Sequence, residues 1–381
     1  MAADPPAGRR APPAHEGEAE EQRVSSLELF FDLVFVFTLT QLTTLLAGNP
    51  SVIGGIRVAL IFVVLFWMYG GYAWLTNQVP PTRPARRLLL ILGMAAFLMC
   101  ALAVPRAFDG GGVVFGFGYL LVTLVHLGLY ASAYGATIVR WIGPFNLASA
   151  VCVILAGVFE GQAAYVLWLA AILIQSVTPF TSRSEDRPRI RSAHFVERHG
   201  LLLLIALGES VVAVGIGVGH EPLSFGLFGA VLLGLALAAT LWWAYFASDE
   251  EGAERALAAA EPVNRQLRLA IAAYFFSYLP MLLGIITLAA GVKESIGQVG
   301  HRLDVAPAVT LGAGVALYLA GDVAFRTVLR IGPVAARAVA AVAALLTIVL
   351  GVYVAGAVQL VALVLVLLGM LAPETRRRLA V

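Results

Sequence analysis

Twelve apolar runs joined by short polar segments fill almost all of this chain, and no soluble fold can bury that many. They extend over Leu27 to Ala47, Ile53 to Leu75, Leu88 to Val104, Val113 to Val139, Phe145 to Phe159, Ala163 to Phe180, Gly200 to Val218, Leu223 to Ala247, Leu267 to Ala290, Ala308 to Leu329, Val334 to Tyr353 and Val354 to Leu371. A run of about 20 apolar residues crosses the hydrocarbon core of a bilayer as a helix. The last two runs form one continuous apolar stretch, far too long for a single crossing of ~30 Å at ~1.5 Å per residue, so it must turn back on itself. Composition agrees: 60% of the 381 residues are hydrophobic and 13% charged, where soluble domains carry about 25% charge. The expected fold is therefore all-α, a polytopic transmembrane helix bundle of about twelve spans.

The basic residues give this bundle a direction. With an even number of spans both termini share one side, and all but four of the 25 Lys and Arg residues then fall on that side. The exceptions are Arg106, Lys293 and Arg302 on the other side and Arg57 inside a span. An excess of Lys and Arg marks cytoplasmic loops, so both termini are expected in the cytoplasm. A net charge of +2, spread over short clusters, excludes a nucleic-acid partner. Cys100 and Cys152 lie in different apolar runs and read as small hydrophobes. Residues 1–24 are rich in Pro and Glu and are expected to form a disordered cytoplasmic tail without a cleavable signal, so membrane insertion begins with the Leu27 run. Residues 373–381 are expected as a second cytoplasmic tail.

An internal duplication is suggested by two acid-led runs. SSLELFFDLVFVFTLT opens the first and HFVERHGLLLLIALGES opens the seventh, so that Glu197 and Glu209 stand where Glu28 and Thr40 stand in the first. The second and eighth runs end in FWMYGGYAW and LWWAYFASD, which aligns Trp67 and Tyr69 with Trp243 and Tyr245. Two six-helix halves, 25–181 and 182–372, would enter the membrane from the same side as parallel repeats, an arrangement that tends to put a pathway between the halves.

The string Ser25, Ser26, Glu28, Leu29, Phe30, Phe31, Asp32, Leu33, Val34, Phe35, Val36, followed by His194, Glu197, Arg198, Ile205, Leu207, Gly208 and Glu209, resembles the bacterial low temperature requirement protein A family. SYLPMLLGII from Ser277 and LYLAGDVAFR from Leu317 extend the resemblance over all the spans. It implies a multispanning protein of the bacterial cytoplasmic membrane, and it implies no mechanism. In the family pattern a His often stands where this chain has Tyr278 and Asp322.

Charges inside apolar runs are costly and mark partners or pathways. Glu28 and Asp32, four residues apart, share one helix face. With Ser25 or Ser26 as N-cap, Glu28 also complements the positive end of the helix dipole, while Asp32 lies deeper and is either a fixed ion pair or a pathway group. Glu209 falls mid-run with no basic residue on its own helix nearer than Arg198. Glu197 and Arg198 can form a charge cluster beside His194, which reads as an interfacial anchor. His126 is an isolated imidazole deep in the fourth run, and Asp322 with Arg326 has ion-pair spacing.

No zinc spacing, P-loop, GxSxG elbow or haem motif is present, so no metal or cofactor is expected and familiar hydrolase or ATP-driven chemistry is unsupported. The function expected is secondary transport or permeation of a small solute or ion, with coupling to protons as an option; Asp32 and Glu209 are central and Glu28, Glu197, Arg198 and His126 supporting. Two alternatives stay open: an intramembrane enzyme acting on a lipid or isoprenoid, and a structural or sensory membrane protein. Beyond the lipid bilayer and that solute, ion or proton, the sequence names no partner.

Overall fold

The computed structural model describes residues 24–181, 189–219 and 224–379, and among them every regular element is helical. In chain order these are α1 (Ser26–Gly48), α2 (Val52–Gln78), α3 (Pro84–Ala103), α4 (Gly112–Tyr134), α5 (Ala136–Val158), α6 (Gln162–Thr181), α7 (Ser192–Val218) and α8 (Phe225–Phe246). A short α9 (Asp249–Ala258) follows, then α10, which runs from Val263–Ile271 through a π-helical segment, Ala272–Ser277, into Tyr278–Ser295. The last are α11 (Val305–Leu329), α12 (Ala335–Leu346, continued by Ile348–Tyr353) and α13 (Gly356–Leu379).

Among the described residues, eleven helices are long and apolar enough to cross a membrane, and Gln162–Thr178 is a shorter apolar twelfth. The chain is a polytopic helical membrane protein. Helices are forced here because hydrocarbon offers no partner to a backbone N–H or C=O, so each segment must satisfy its own. Where the helices begin, Ser25, Ser51 and Ser224 accept bonds from the backbone of Glu28, Gly54 and Leu227, each satisfying a donor that the first turn leaves free.

The helix ends differ from the hydropathy reading in three places. The fourth and fifth spans divide at Gly135, whose φ of +82° suits a residue without a Cβ, rather than between Val139 and Phe145. Arg140 and Pro144 therefore lie inside α5, where polarity and proline had suggested a loop. The seventh span begins at Ser192 instead of Gly200, which puts His194, Glu197 and Arg198 within α7. The segment expected as a tail from 373 continues α13 to Leu379. The expected tail 1–24 lies outside the described residues except for Val24. The long apolar stretch does turn back, between Tyr353 and Gly356.

Packing follows one order twice. In the first six helices α1 packs on α3, α3 on α4, α4 on α5, α5 on α6 and α6 on α2. In the remainder α7 packs on α10, α10 on α11, α11 on α12, α12 on α13 and α13 on α8. The two sets meet where α1 and α2 touch α7 and α10. The most extensive contact is between α10 and α11, where a Cβ on Gly284 would collide with the backbone of Tyr318, and one on Gly314 with that of Leu288; small residues permit such approach in membranes. Buried Phe31, Phe35, Tyr69, Tyr72 and Phe97 stack between α1, α2 and α3, and large apolar side chains such as Leu88, Val166, Leu173 and Leu346 face outward.

Candidate functional site

The acids of α1 and the base of α7 meet. Ser25 caps α1 in a reciprocal box: its hydroxyl accepts from the Glu28 backbone N–H while Glu28 Oε2 accepts from the Ser25 N–H at 3.0 Å, the local pattern the S-x-x-E spacing encodes. The remaining Glu28 oxygen, Oε1, accepts from Arg198 Nη1 at 3.0 Å. One turn deeper, Asp32 Oδ1 accepts from Arg198 Nη2 at 3.1 Å, from Arg198 Nε at 3.3 Å and from the Tyr69 hydroxyl at 2.9 Å. Arg198 Nη1 also donates to Thr76, and its guanidinium lies 5.7 Å from the Phe31 ring centroid and 5.9 Å from that of Tyr69, within cation–π range.

This cluster is closed to solvent: Glu28 is 2% exposed, Asp32 0% and Arg198 1%. His194 is built into it rather than anchored at the interface. Its Nδ1 faces the Asn77 amide nitrogen at 3.2 Å and its Nε2 faces Glu28 Oε2 at 3.3 Å. The Asn77 amide, orientated by its bonds with the Arg191 backbone, donates to Nδ1, which leaves the ring hydrogen on Nε2 to donate to Glu28. Two carboxylates thus share one guanidinium, and Asp32 Oδ2 has no hydrogen-bond partner among the described residues.

A second station lies farther along the same seam. Glu209, eleven residues beyond Arg198 and so about 16 Å along α7, accepts from the Thr40 hydroxyl of α1 at 2.8 Å. Lys293 of α10 donates to Thr44 at 3.3 Å on the same side. Both α1–α7 links rise from the N-terminal ends, so the two helices run parallel. Between the stations come Phe35, Val36 and Leu39 of α1 and Leu202, Leu203 and Ala206 of α7, all buried. Asp32 and Glu209 therefore lie on one seam, with buried apolar side chains between them.

Of the other expected residues, Glu197 is half-buried and accepts from the Val24 N–H at 3.3 Å, outside the cluster that its neighbour Arg198 completes. His126 belongs to the α2–α4 packing, its ring 5.1 Å from Tyr72 and 4.8 Å from Tyr130, with no hydrogen bond to either ring nitrogen among the described residues. The i, i+4 spacing of Asp322 and Arg326 did not predict their partners. Asp322 bonds Arg337 of α12, while Arg326 takes Asp249 at 2.7 Å and Glu374 at 2.9 Å. The reason is azimuthal: α12 and the start of α9 offer fully buried partners of better geometry. Arg337 also reaches Glu374 at 3.1 Å and the Ala244 carbonyl at 2.9 Å, so three carboxylates and two guanidiniums join α8, α9, α11, α12 and α13. Sequence reasoning missed Tyr69, Thr76, Asn77, Asp249, Arg337 and Glu374. Arg337 had counted only among the basic residues of the expected cytoplasmic side, and the acid-rich DEE at the α9 start is the one signal that could have pointed to Asp249.

The family model for the bacterial low temperature requirement A protein (LtrA) matches residues 23–372, which takes in the first charge cluster whole and the second except for Glu374. The chain belongs to the LtrA family. It is similar to an uncharacterized protein of Rhizobium meliloti (strain 1021), with 27% identity over 317 residues, covering 79% of this chain and 76% of that one. In this LtrA chain the family-like opening string is the segment that supplies Glu28 and Asp32, and the midpoint string supplies His194, Arg198 and Glu209. Tyr278 donates to the His199 carbonyl at 3.3 Å.

Proposed function

We propose that this LtrA protein moves a small solute or ion across the bacterial cytoplasmic membrane by secondary transport coupled to protons, and that the conformation described is closed at its basic, cytoplasmic end. One observation carries the reading: the buried Glu28, Asp32 and Arg198 cluster holds two carboxylates against one guanidinium, with an Asp32 oxygen unpartnered among the described residues. A buried excess charge is expensive, and a proton is the smallest species that can cancel it. Protonating Asp32 removes the charge that binds Arg198 to the deeper turn of α1. Arg198 then keeps Glu28 and Thr76, and the grip of α7 on α1 loosens. Loss of the proton restores it. Glu209, one station farther on, offers a second carboxylate on the same seam.

The halves 25–181 and 182–372 then act as parallel repeats that rock about this seam. Their matched packing order supports that view, as does the parallel course of α1 and α7. In such architectures the site lies between repeats. A purely structural role is favoured by a different observation, that Arg198 is hydrogen-bonded on all three nitrogens, as a permanent clamp would be.

The two readings separate in purified protein reconstituted into liposomes loaded with a pH-sensitive dye. Amino acids, sugars, polyamines, small carboxylates and alkali cations are added in turn under an imposed pH gradient. Transport predicts proton movement that depends on at least one of these solutes and is lost in Asp32→Asn. Proton traces identical to empty liposomes for the whole panel would leave the clamp as the better account.

A further inference from the structure

Between α9, the start of α10 and the end of α11 lies a cavity of about 360 Å³ lined by Ala256, Ala259, Leu269, Leu329, Arg265 and Arg330 among others. Its size is that of a small-molecule site. The walls are otherwise apolar, and both arginines are exposed without an ion pair among the described residues. The nearby Glu261 is engaged by Arg189 at 2.6 Å, and Arg189 also bonds the carbonyls of Ala258 and Ala260, which holds the α9–α10 turn against the cavity. This end of the bundle collects most of the basic residues.

Arg330 is there against its backbone preference. It closes α11 at φ +59°, the one non-glycine residue with positive φ among those described. At that position glycine is the usual occupant because a Cβ is disfavoured. An arginine in its place gives up backbone ease and presents a guanidinium to the cavity.

We propose that this cavity is a binding site for an anionic phospholipid, with Arg265 and Arg330 holding the headgroup phosphate and the Ala and Leu walls taking the glycerol and upper acyl carbons. Arginine binds phosphate oxygens through a planar fork. Basic pockets between helices at the membrane surface take such headgroups. An apolar wall beneath two guanidiniums suits a lipid better than a free anion, which has nothing to bury. The site is independent of the α1–α7 seam.

The test is native mass spectrometry of the delipidated full-length protein in detergent, titrated with phosphatidylglycerol or phosphatidylcholine, with and without inorganic phosphate. Phosphatidylglycerol should bind at least roughly tenfold more tightly than phosphatidylcholine. Arg330→Gly relieves the positive-φ strain and should fold at least as well as the native chain, yet combined with Arg265→Gln it should abolish the preference. Ala259→Trp, which fills the cavity and leaves both charges, should weaken phosphatidylglycerol binding as well. Equal retention of the two lipids by the native protein, or native-like phosphatidylglycerol binding by the Arg265→Gln/Arg330→Gly variant, would overturn the proposal. So would displacement of the lipid by millimolar phosphate together with an inert Ala259→Trp, the signature of a free-anion site.

Discussion

Replacing Arg198 by Met should be among the most destabilising single changes available, and the reason can be worked from the cluster. Met keeps the apolar stem that lies beside Phe31 and Tyr69 and removes only the guanidinium. Glu28 and Asp32 would then stay buried, at 2% and 0% exposure, without their shared cation. Removing one partner of a buried ion pair costs about 3–5 kcal/mol, and here the lost partner serves two acids, so the upper end of that range is expected. The converse change should be mild. A triple variant, Glu28→Gln, Asp32→Asn and Arg198→Met, carries no net buried charge and should return to within about 1 kcal/mol of the native protein or exceed it, since neutral replacements of buried ionic groups are often tolerated. Graded SDS unfolding in mixed micelles, followed by tryptophan fluorescence, reads these differences directly. If Arg198→Met alone unfolds at the native SDS fraction, or if the triple variant is no more stable than the single one, the clamp reasoning is wrong.

Asp32→Asn leaves Arg198 paired with Glu28 and keeps an acceptor for Tyr69, so the folded yield in size-exclusion chromatography should fall little while proton-coupled flux is lost; aggregation of this variant would mark Asp32 as structural. Glu209→Gln retains an acceptor for Thr40 and should change stability by no more than about 1 kcal/mol, yet remove the pH dependence of uptake, which flux measured at several pH values would reveal; an unaltered pH profile would clear Glu209 of coupling. Gly284→Val should destabilise by about 1–3 kcal/mol or more through overpacking of α10 on α11, seen as a lower SDS midpoint. In a cysteine-free background, membrane-impermeant maleimide applied outside intact cells should label a cysteine at Gln298 and not one at Glu251, both exposed positions; labelling of both would contradict the even-span orientation.

Much of the architecture was legible without coordinates. Hydrophobic length alone separates spans from loops, because hydrocarbon thickness imposes a ruler on every crossing. It yielded the twelve apolar helices and the reversal after Tyr353, and not the short polar α9. It erred at Arg140 and Pro144, since one arginine near a helix end and one proline inside it are both tolerable in a membrane helix. The S-x-x-E signal at Ser25 predicted the α1 cap because capping is local, three residues from donor to acceptor.

The sequence by itself therefore determined the class, the number of apolar helices and the presence of Glu28, Asp32, Arg198 and Glu209 in or beside them. Only the tertiary structure decided who pairs with whom: Glu28 and Asp32 with Arg198, more than 160 residues away, Thr40 with Glu209, and Asp322 with Arg337 instead of Arg326. The physical reason is that α1 carries large apolar residues on every face, lipid-facing and buried alike. In a soluble helix the buried face announces itself by polarity, but lipid and protein interior are equally apolar, so periodicity does not report which face turns inward. The rotation of each helix is set by how side chains and small residues interlock, and those contacts exist only once the helices are packed.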